Sequence, residues 1–374
     1  MAITPYLFFL FWLFGFIFFW KVYYPRSTRR FDETSSKISI IIPARNEEKN
    51  LGRLLGSLKG QTLKAHENIV VDDHSEDLTA EIGREAGCIV ISSKELPEGW
   101  TGKPWACWQG AHKATGDIFA FLDADTFLES DGLSKIFSTY LEHGGLLSIQ
   151  PFHRMEKIYE RLSAIFNIAI MAGMNSFTAW GSRRKPSGAF GPCMVCSRQD
   201  YFAVGGHEKV RGEILESLSF GREFLKSGRE VRCYGGKGTI SFRMYPEGLP
   251  SLIEGFGKGF GTGANAMSLG NLFMMVCWVT GGVAVTRHLL QVAFWTDPVA
   301  LGVWVTLDAF YILQIHWMLR RIGNFGFYTP LFFQIPLLIF IVLFFSSLLR
   351  IFVVRRVRWK GRMIKTGAGD KNQS

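Results

Sequence analysis

Two aspartates, Asp123 and Asp125, stand one residue apart directly after the apolar run Ile118-Phe119-Ala120-Phe121-Leu122. On extended backbone, side chains at i and i+2 point to the same side, so both carboxylates can face one cation. A hard divalent cation such as Mg2+ is held by one or two carboxylates together with the oxygens of a substrate diphosphate, and Mn2+ accepts the same oxygen set. A solvated strand-to-loop turn would use the same tripeptide. Upstream, Lys103 in Trp100-Thr101-Gly102-Lys103-Pro104-Trp105 directly precedes a helix-like stretch. There an ammonium and the free N–H groups of a helix start can together face phosphate oxygens; an ordinary exposed lysine is the alternative. Asp72 and Asp73 end another apolar run, where they can accept hydrogen bonds from a uracil N–H or ribose hydroxyls, or one can cap the following helix.

These groups need a scaffold that brings them to one edge. From Lys37 to about Gln150, short β-branched runs alternate with helical stretches. Strands are predicted at 38–42, 69–71, 88–91 and 118–122, with helices at 47–58, 77–86 and 104–115 between them. Such alternation predicts a mainly parallel α/β sheet wound by right-handed crossovers, with ligands beyond the carboxyl ends of the strands. Polar residues collect at those ends: Pro43, Ala44, Arg45, Asn46 and Glu47 after the first strand, Asp72 to Ser75 after the second, Asp123 to Asp125 after the fourth.

The 374-residue chain carries ten excess positive charges, and its apolar residues concentrate at the two ends, the pattern of a membrane protein with a soluble middle. Tyr6 to Trp20 predicts an uncleaved anchor within 1–24, since no positive stretch precedes it and no small-x-small cleavage site follows. Lys21, Arg26, Arg29 and Arg30 then place the next segment in the cytoplasm. Three apolar stretches follow at 272–295, 299–319 and 331–349, and the basic tail 350–374 returns to the cytoplasm. Equal sidedness of both ends demands an even number of crossings, so one stretch is expected to be interfacial or re-entrant: that with Pro330 and Pro336, or that broken by Arg287. Arg161 to Trp180 is apolar but short and carries Asn167 and Asn175; it is expected as a surface helix lining an acceptor groove, or as a core helix.

Ile41 to Glu48, Val70 to Asp77, Gly102-Lys103 and Asp123-Ala124-Asp125, in that order, resemble glycosyltransferase family 2, inverting enzymes of GT-A fold that use nucleotide sugars. The resemblance covers about Lys37 to Lys258 and implies a GT-A Rossmann-like nucleotide-sugar domain over 37–265, between N-terminal and C-terminal transmembrane helices. It implies donor contacts at Pro43, Ala44, Arg45, Glu47, Asp72, Asp73, Lys103, Asp123 and Lys258, with Mg2+ or Mn2+ at Asp123 and Asp125. Further stretches, among them 145–153, 159–177, 189–192 and 242–259, are similar to members of the family that act on carotenoid acids. That similarity implies a UDP-sugar donor, UDP-glucose, and a carotenoid carboxylic acid acceptor. The product is then a glucosyl ester made at the cell membrane, with other enzymes of that pathway as further partners.

Two departures from the family bear on mechanism. Where it carries Glu-Asp, with the aspartate as general base, this chain has Glu216-Ser217. For an alcohol acceptor the loss costs on the order of 10²- to 10⁴-fold in rate. A carboxylic acid of pKa about 4 is already ionised and needs no base, although Glu216 remains available as base for a hydroxyl; transfer to a polyprenyl phosphate or to diacylglycerol is the alternative. The family's Gln-x-x-Arg-Trp has its counterpart in Glu254 to Lys258, where Lys258 replaces the arginine without its bidentate fork. Other classes are disfavoured. The glycine-rich run through Gly263 lacks Gly-Lys-Ser/Thr, Cys193 and Cys196 lack a partner pair for zinc, and the apolar stretches lack a transporter's repeats. The positive excess lies beside membrane segments, where it sets topology and attracts anionic lipid; no nucleic-acid partner is expected. His207 is read as structural.

Overall fold

A computed structural model describes residues 4–27, 36–213, 215–264, 267–292, 297–349, 356–359 and 362–365; side chains at 4, 182, 257–264, 292, 348 and in the last two stretches lie outside that description. Ten strands are used below: β1 (Ile38–Ala44), β2 (Glu67–Asp72), β3 (Ile89–Ser92), β4 (Ile118–Leu122), β5 (Thr126–Leu128), β6 (Leu146–Gln150), β7 (Phe152–His153), β8 (Cys193–Ser197), β9 (Val231–Gly235) and β10 (Ile240–Phe242). The helices of the α/β domain are α1 (Thr4–Phe18), which precedes it, then α2 (Glu48–Lys59), α3 (Thr79–Glu85), α4 (Gly102–Lys113), α5 (Gly132–His143), α6 (Ala164–Gly173), α7 (Arg198–Ala203), α8 (Glu216–Lys226) and α9 (Leu249–Ala264). Then come α10 (Leu269–Val292), α11 (Pro298–Ile322), α12 (Tyr328–Leu331) and α13 (Gln334–Leu349).

Seven strands form the main sheet in the order β3-β2-β1-β4-β8-β6-β9. The four strands predicted from alternation are its parallel half, paired β3·β2·β1·β4. β8 runs antiparallel between β4 and β6, so the sheet is mixed rather than wholly parallel. The period of two is visible in the packing. Ile38, Ile40 and Ile42 face the layer formed with Leu51, Leu54, Leu55 and Leu58 of α2, whereas Ile41 and Val71 face the layer of α4. Each of these fully buried side chains is worth about 1.5–3 kcal/mol relative to exposure. A small sheet β5-β10-β7 closes over the carboxyl end of β4.

Close approach of α4 to β1 depends on Gly110. A Cβ there would lie 2.5 Å from Cγ2 of Ile41. That contact fixes how far Lys103, in the first turn of α4, reaches over the sheet edge.

The apolar ends come together. α1 packs along α10 and α11, with Trp12 Nε1 donating to the Phe310 carbonyl (2.9 Å), Gln314 Nε2 to the Trp12 carbonyl (3.0 Å) and Trp278 Nε1 to Gln314 Oε1 (2.7 Å). Two helices, Leu269–Gln291 and Pro298–Ile322, are long and apolar enough to cross a membrane. α10 runs unbroken through Arg287 and His288, so the charges do not interrupt that stretch. The helix predicted over Tyr6 to Trp20 ends at Phe18 after 15 residues, and α13 has 16. At 1.5 Å per residue neither covers about 30 Å of hydrocarbon alone. α6 lies in the core: Ile165, Phe166, Ile168 and Met171 are buried, and Phe166 stacks on Phe256 with centroids 4.0 Å apart. The core alternative holds for 164–173, because its apolar side chains cover all faces and are enclosed by α9, α10, α11 and α13. Arg29, Arg30 and the tail 350–374 lie outside the described residues, apart from the backbone of two short strands, Arg356–Trp359 and Arg362–Lys365.

Candidate active site

Beyond the carboxyl ends of β1, β2 and β4, three elements distant in sequence converge on one ammonium. Lys103 Nζ lies 2.5 Å from Asp123 Oδ1 and 3.6 Å from Glu216 Oε1. Asp123 follows β4, its N–H donating to the Pro192 carbonyl (3.0 Å), while Thr126 N–H and Oγ1 both donate to its own carbonyl (3.1 and 2.7 Å). Glu216 opens α8. Burial opposes the charge of Lys103, but Asp123 and Glu216 outweigh it and hold the lysine well above its usual range. Burial pushes Glu216 up and the neighbouring Asp123 adds to this, with Lys103 working against both.

Gly191 forms the wall beside this cluster. A Cβ there would sit 2.9 Å from Ser217 Oγ and 3.3 Å from Lys103 Nζ, so only glycine leaves this space open. Gly191 was legible in the sequence only as part of the stretch 189–192. Its nearness to Lys103 depends on β8 returning antiparallel beside β4.

Asp125 completes the acidic side. Desolvation, then the carboxylates of Asp123 and Glu47, push it up to about 7, with Lys103, itself paired with Asp123, opposing them. Among the described residues no three His, Cys, Asp or Glu side chains form an all-protein metal cage. The donor set fits the other mode, in which Mg2+ or Mn2+ is held by one or two carboxylates plus substrate phosphates. Crowded carboxylates of this kind are the field such a cation relieves.

At the ends of β1 and β2, the register Pro43↔Val71 and Ala44↔Asp72 brings the two strand ends together, and Asp73 N–H donates to the Ala44 carbonyl (2.8 Å). Arg45 lies 3.7 Å from Asp73 and His74 lies 3.4 Å from its other oxygen. Asp72 is partly used within the turn, accepting from Ser75 N–H at 3.2 Å. The first N–H of the following helix goes instead to Asp77, which accepts from Thr79 N–H (3.0 Å) and Glu48 N–H (3.1 Å). Glu47 N–H donates to Thr79 Oγ1 (2.8 Å) and its carboxylate accepts from Asn50 (2.8 Å). Asn46 and His74 hold positive φ, 53° and 58°, in the two loops that face each other here.

Lys258 lies on α9, but its side chain is outside the described residues. The structure adds Tyr245, whose phenol is pushed up first by burial and then by Asp125. Antiparallel pairing of Thr126 with Phe242 carries the chain from β10 past Asp125 to reach it. His207 is structural: fully buried, it contacts the Tyr201 hydroxyl at 3.0 Å, and burial drives it down to about 3. Cys193 and Cys196 are buried free thiols on β8.

The chain is 37% identical over 339 residues to a 4,4'-diaponeurosporenoate glycosyltransferase of Staphylococcus haemolyticus (strain JCSC1435), covering 89% of this chain and 90% of that relative. It is 35% identical over 330 residues to a protein of the same name from Staphylococcus aureus (strain MRSA252), with 87% of each covered. Its fold is similar to that of a mannosyltransferase from Pyrobaculum calidifontis, solved in complex with GDP-Man and Mn2+, at a TM-score of 0.54 and 13% identity over 95% of this chain and 97% of that one. The family description "Glycosyl transferase family 2" matches residues 39–202. With a GT-A-like sheet whose strand ends gather these side chains, and relatives matched over nearly their whole length, the chain belongs to glycosyltransferase family 2.

Proposed function

We propose that this glycosyltransferase moves a sugar, glucose, from a UDP-sugar to the carboxylate of a carotenoid acid such as diaponeurosporenoate, at the cell membrane and from its cytoplasmic face. The observation that carries the reading is Ser217, which stands against Gly191 beside Lys103 where the family's catalytic aspartate is expected. A carboxylate acceptor needs no proton removed. Its oxygen attacks the anomeric carbon, the bond from that carbon to the diphosphate oxygen breaks, and the configuration inverts. The names of the relatives point to the same acceptor.

In this reading the α/β unit 37–265 carries the chemistry and the apolar segments 1–24 and 272–349 hold it at the lipid that supplies the acceptor. Pro43, Ala44, Arg45, Glu47, Asp72 and Asp73 hold the nucleotide, Arg45 by its charge and Asp73 by accepting hydrogen bonds. Asp123 and Asp125 would hold Mg2+ or Mn2+, which neutralises charge growing on the leaving diphosphate. Lys103 stabilises the same charge from the other side, held in place by Asp123 and Glu216. Glu216 orients the sugar and the lysine.

Lys103→Ala is expected to raise the KM for the nucleotide sugar on the order of 10- to 100-fold, the worth of one charged hydrogen bond, with the acceptor KM unchanged. Steady-state kinetics with each substrate varied in turn checks this; the reverse pattern would turn the loop toward the lipid.

The decisive experiment incubates the membrane-embedded enzyme with UDP-glucose and labelled lipid acids and alcohols. An alkali-labile glucosyl ester is expected. An alkali-stable glycoside would sink the proposal in favour of transfer to diacylglycerol with Glu216 as base, and a glycosyl phosphodiester would sink it in favour of transfer to a polyprenyl phosphate.

A further inference from the structure

Three segments far apart in the chain meet where the apolar helices join the α/β domain. Residues 17–24 leave α1, and the N–H groups of Trp20 and Lys21 both donate to the Phe177 carbonyl (2.6 and 3.2 Å) while Ala179 N–H donates to the Ile17 carbonyl (2.8 Å). The end of α11 closes the set: Arg321 Nη1 donates to the Trp20 carbonyl at 2.7 Å, and Tyr24 Oη donates to the Arg321 carbonyl at 3.1 Å. The third segment is 176–187, which carries the chain on from the end of the apolar stretch Arg161 to Trp180.

The surface so assembled has a distinct chemistry. Trp20, Tyr23 and Trp180 are exposed at 53%, 38% and 40%. Lys21 Nζ lies 4.9 Å from the Tyr23 ring centroid, the Arg184 guanidinium 4.1 Å from Trp180, and the Arg321 guanidinium 3.9 Å from Trp317. Lys21, Arg183, Arg184, Lys185, Arg320 and Arg321 all belong to these segments, and residues 17–24, 176–187 and 317–322 contain no Asp or Glu. On one side of this collar stand the exposed apolar faces of α10 and α11, with Phe273, Val276, Val303 and Leu313 among them. On the other side stands the catalytic domain.

We propose that this aromatic and basic collar docks the enzyme on the headgroup layer of an anionic phospholipid bilayer, with Trp180, Arg183, Arg184 and Lys185 as its sequence-remote contacts. The inference rests on reading α10 and α11 as membrane spans. Indole and phenol rings favour the boundary between hydrocarbon and water, long basic side chains reach from it to phosphates, and each such charge near an anionic leaflet strengthens attraction. An acidic protein partner would match the charge, but the apolar belt immediately beside the collar matches a bilayer.

Docking there sets the height of the chemistry. Ser187, in the same loop, accepts from Asn175 Nδ2 (3.0 Å) and donates to the Gly173 carbonyl (2.9 Å). Six residues on from Lys185 the chain reaches Gly191, whose Cβ position is 3.3 Å from Lys103 Nζ. Six residues span at most about 20 Å. The sugar-transfer site is therefore held within about that distance of the headgroups, within reach of the polar end of a lipid acceptor.

The test uses the full chain in nanodiscs of phosphatidylcholine alone or with phosphatidylglycerol. Emission from Trp180 is taken as the difference between wild type and Trp180→Phe. It is expected to be quenched by lipids brominated near the headgroup and protected from aqueous iodide. Transfer by the wild type is expected to rise severalfold in anionic discs and to lose that gain in high salt, while the Arg183→Gln/Arg184→Gln/Lys185→Gln variant stays at the neutral-disc rate. Quenching of Trp180 by iodide alone, or a variant that responds to anionic lipid as the wild type does, would overturn the collar. Flotation of the wild type with liposomes tests the membrane reading separately: failure to float removes both, whereas floating with a water-exposed Trp180 removes only the collar.

Discussion

Asp125→Ala is expected to lower sugar transfer by on the order of 10³-fold or more while the chain stays folded, since charge stabilisation by a metal contributes several kcal/mol to the transition state. The side chain sits after β4 rather than among the packed apolar residues of the sheet, so its removal opens no large cavity. Asp123→Ala is expected to be as severe, for it also releases Lys103, 2.5 Å away. Circular dichroism checks the fold and Mn2+ binding followed by paramagnetic resonance checks the site; activity that survives EDTA would sink the metal role. The pH dependence has a definite sign. Burial, Asp123 and Glu47 hold Asp125 up to about 7, so below that pH it is protonated and the cation must displace a proton to bind. Activity at limiting Mn2+ is therefore expected to rise with pH through about 7, with a midpoint that moves down as Mn2+ increases. A midpoint independent of Mn2+ would mean that Asp125 titrates without a metal.

At saturating metal and donor, the rate is expected to be flat from pH about 6 to 8 if the nucleophile is a carboxylate of pKa about 4. A general base would behave otherwise. Glu216 is raised by burial, so a reaction that depended on its ionised form would speed up as pH climbed through that raised pKa. Glu216→Gln is expected to cost less than the 10²- to 10⁴-fold of a lost base, and its loss should appear in the KM of the donor through the lysine it helps to hold 3.6 Å away. Ser217→Asp is expected to reduce transfer to a carboxylate by at least tenfold, because a second anion beside Glu216 repels an anionic nucleophile. Space is tight there, with Gly191 against Ser217 Oγ, so Ser217→Asn serves as the uncharged control of similar size. Equal losses in the two variants would assign the effect to sterics and leave the charge argument without support.

How much of this was legible beforehand follows the range of the interactions. Short, nearly continuous apolar runs at Ile38 to Ile42, Ile69 to Val71 and Ile118 to Leu122 specify strands buried on both faces, a local property, and the strands found at 38–44, 67–72 and 118–122 follow it. Asp123 and Asp125 do not follow it: β4 ends at Leu122, and residues 123–126 form a turn closed by Thr126 N–H on the Asp123 carbonyl, so their nearness is set by that turn and not by extended backbone. The apolar content of 272–349 likewise announces long helices, but their ends depend on packing. α1 stops at Phe18, and Trp20 turns to the Phe177 carbonyl instead of continuing the helix.

The tertiary structure decided what local spacing cannot encode. Lys103, Asp123 and Glu216 come from α4, β4 and α8, and they meet because Gly110 lets α4 settle onto Ile41 and because β8 returns antiparallel beside β4. It chose the buried alternative for α6, since an all-apolar helix is stable in a core or at a bilayer alike, and only its neighbours distinguish the two. It also gathered Trp20, Trp180 and Arg321 onto one collar. The sequence by itself determined which side chains stand at the strand ends and that a divalent cation and a diphosphate suit them. Lys103 and Glu216 are already named from the sequence; that they meet at Asp123 with Gly191 beside them was decided by long-range packing, because contacts between elements a hundred residues apart leave no period in the chain.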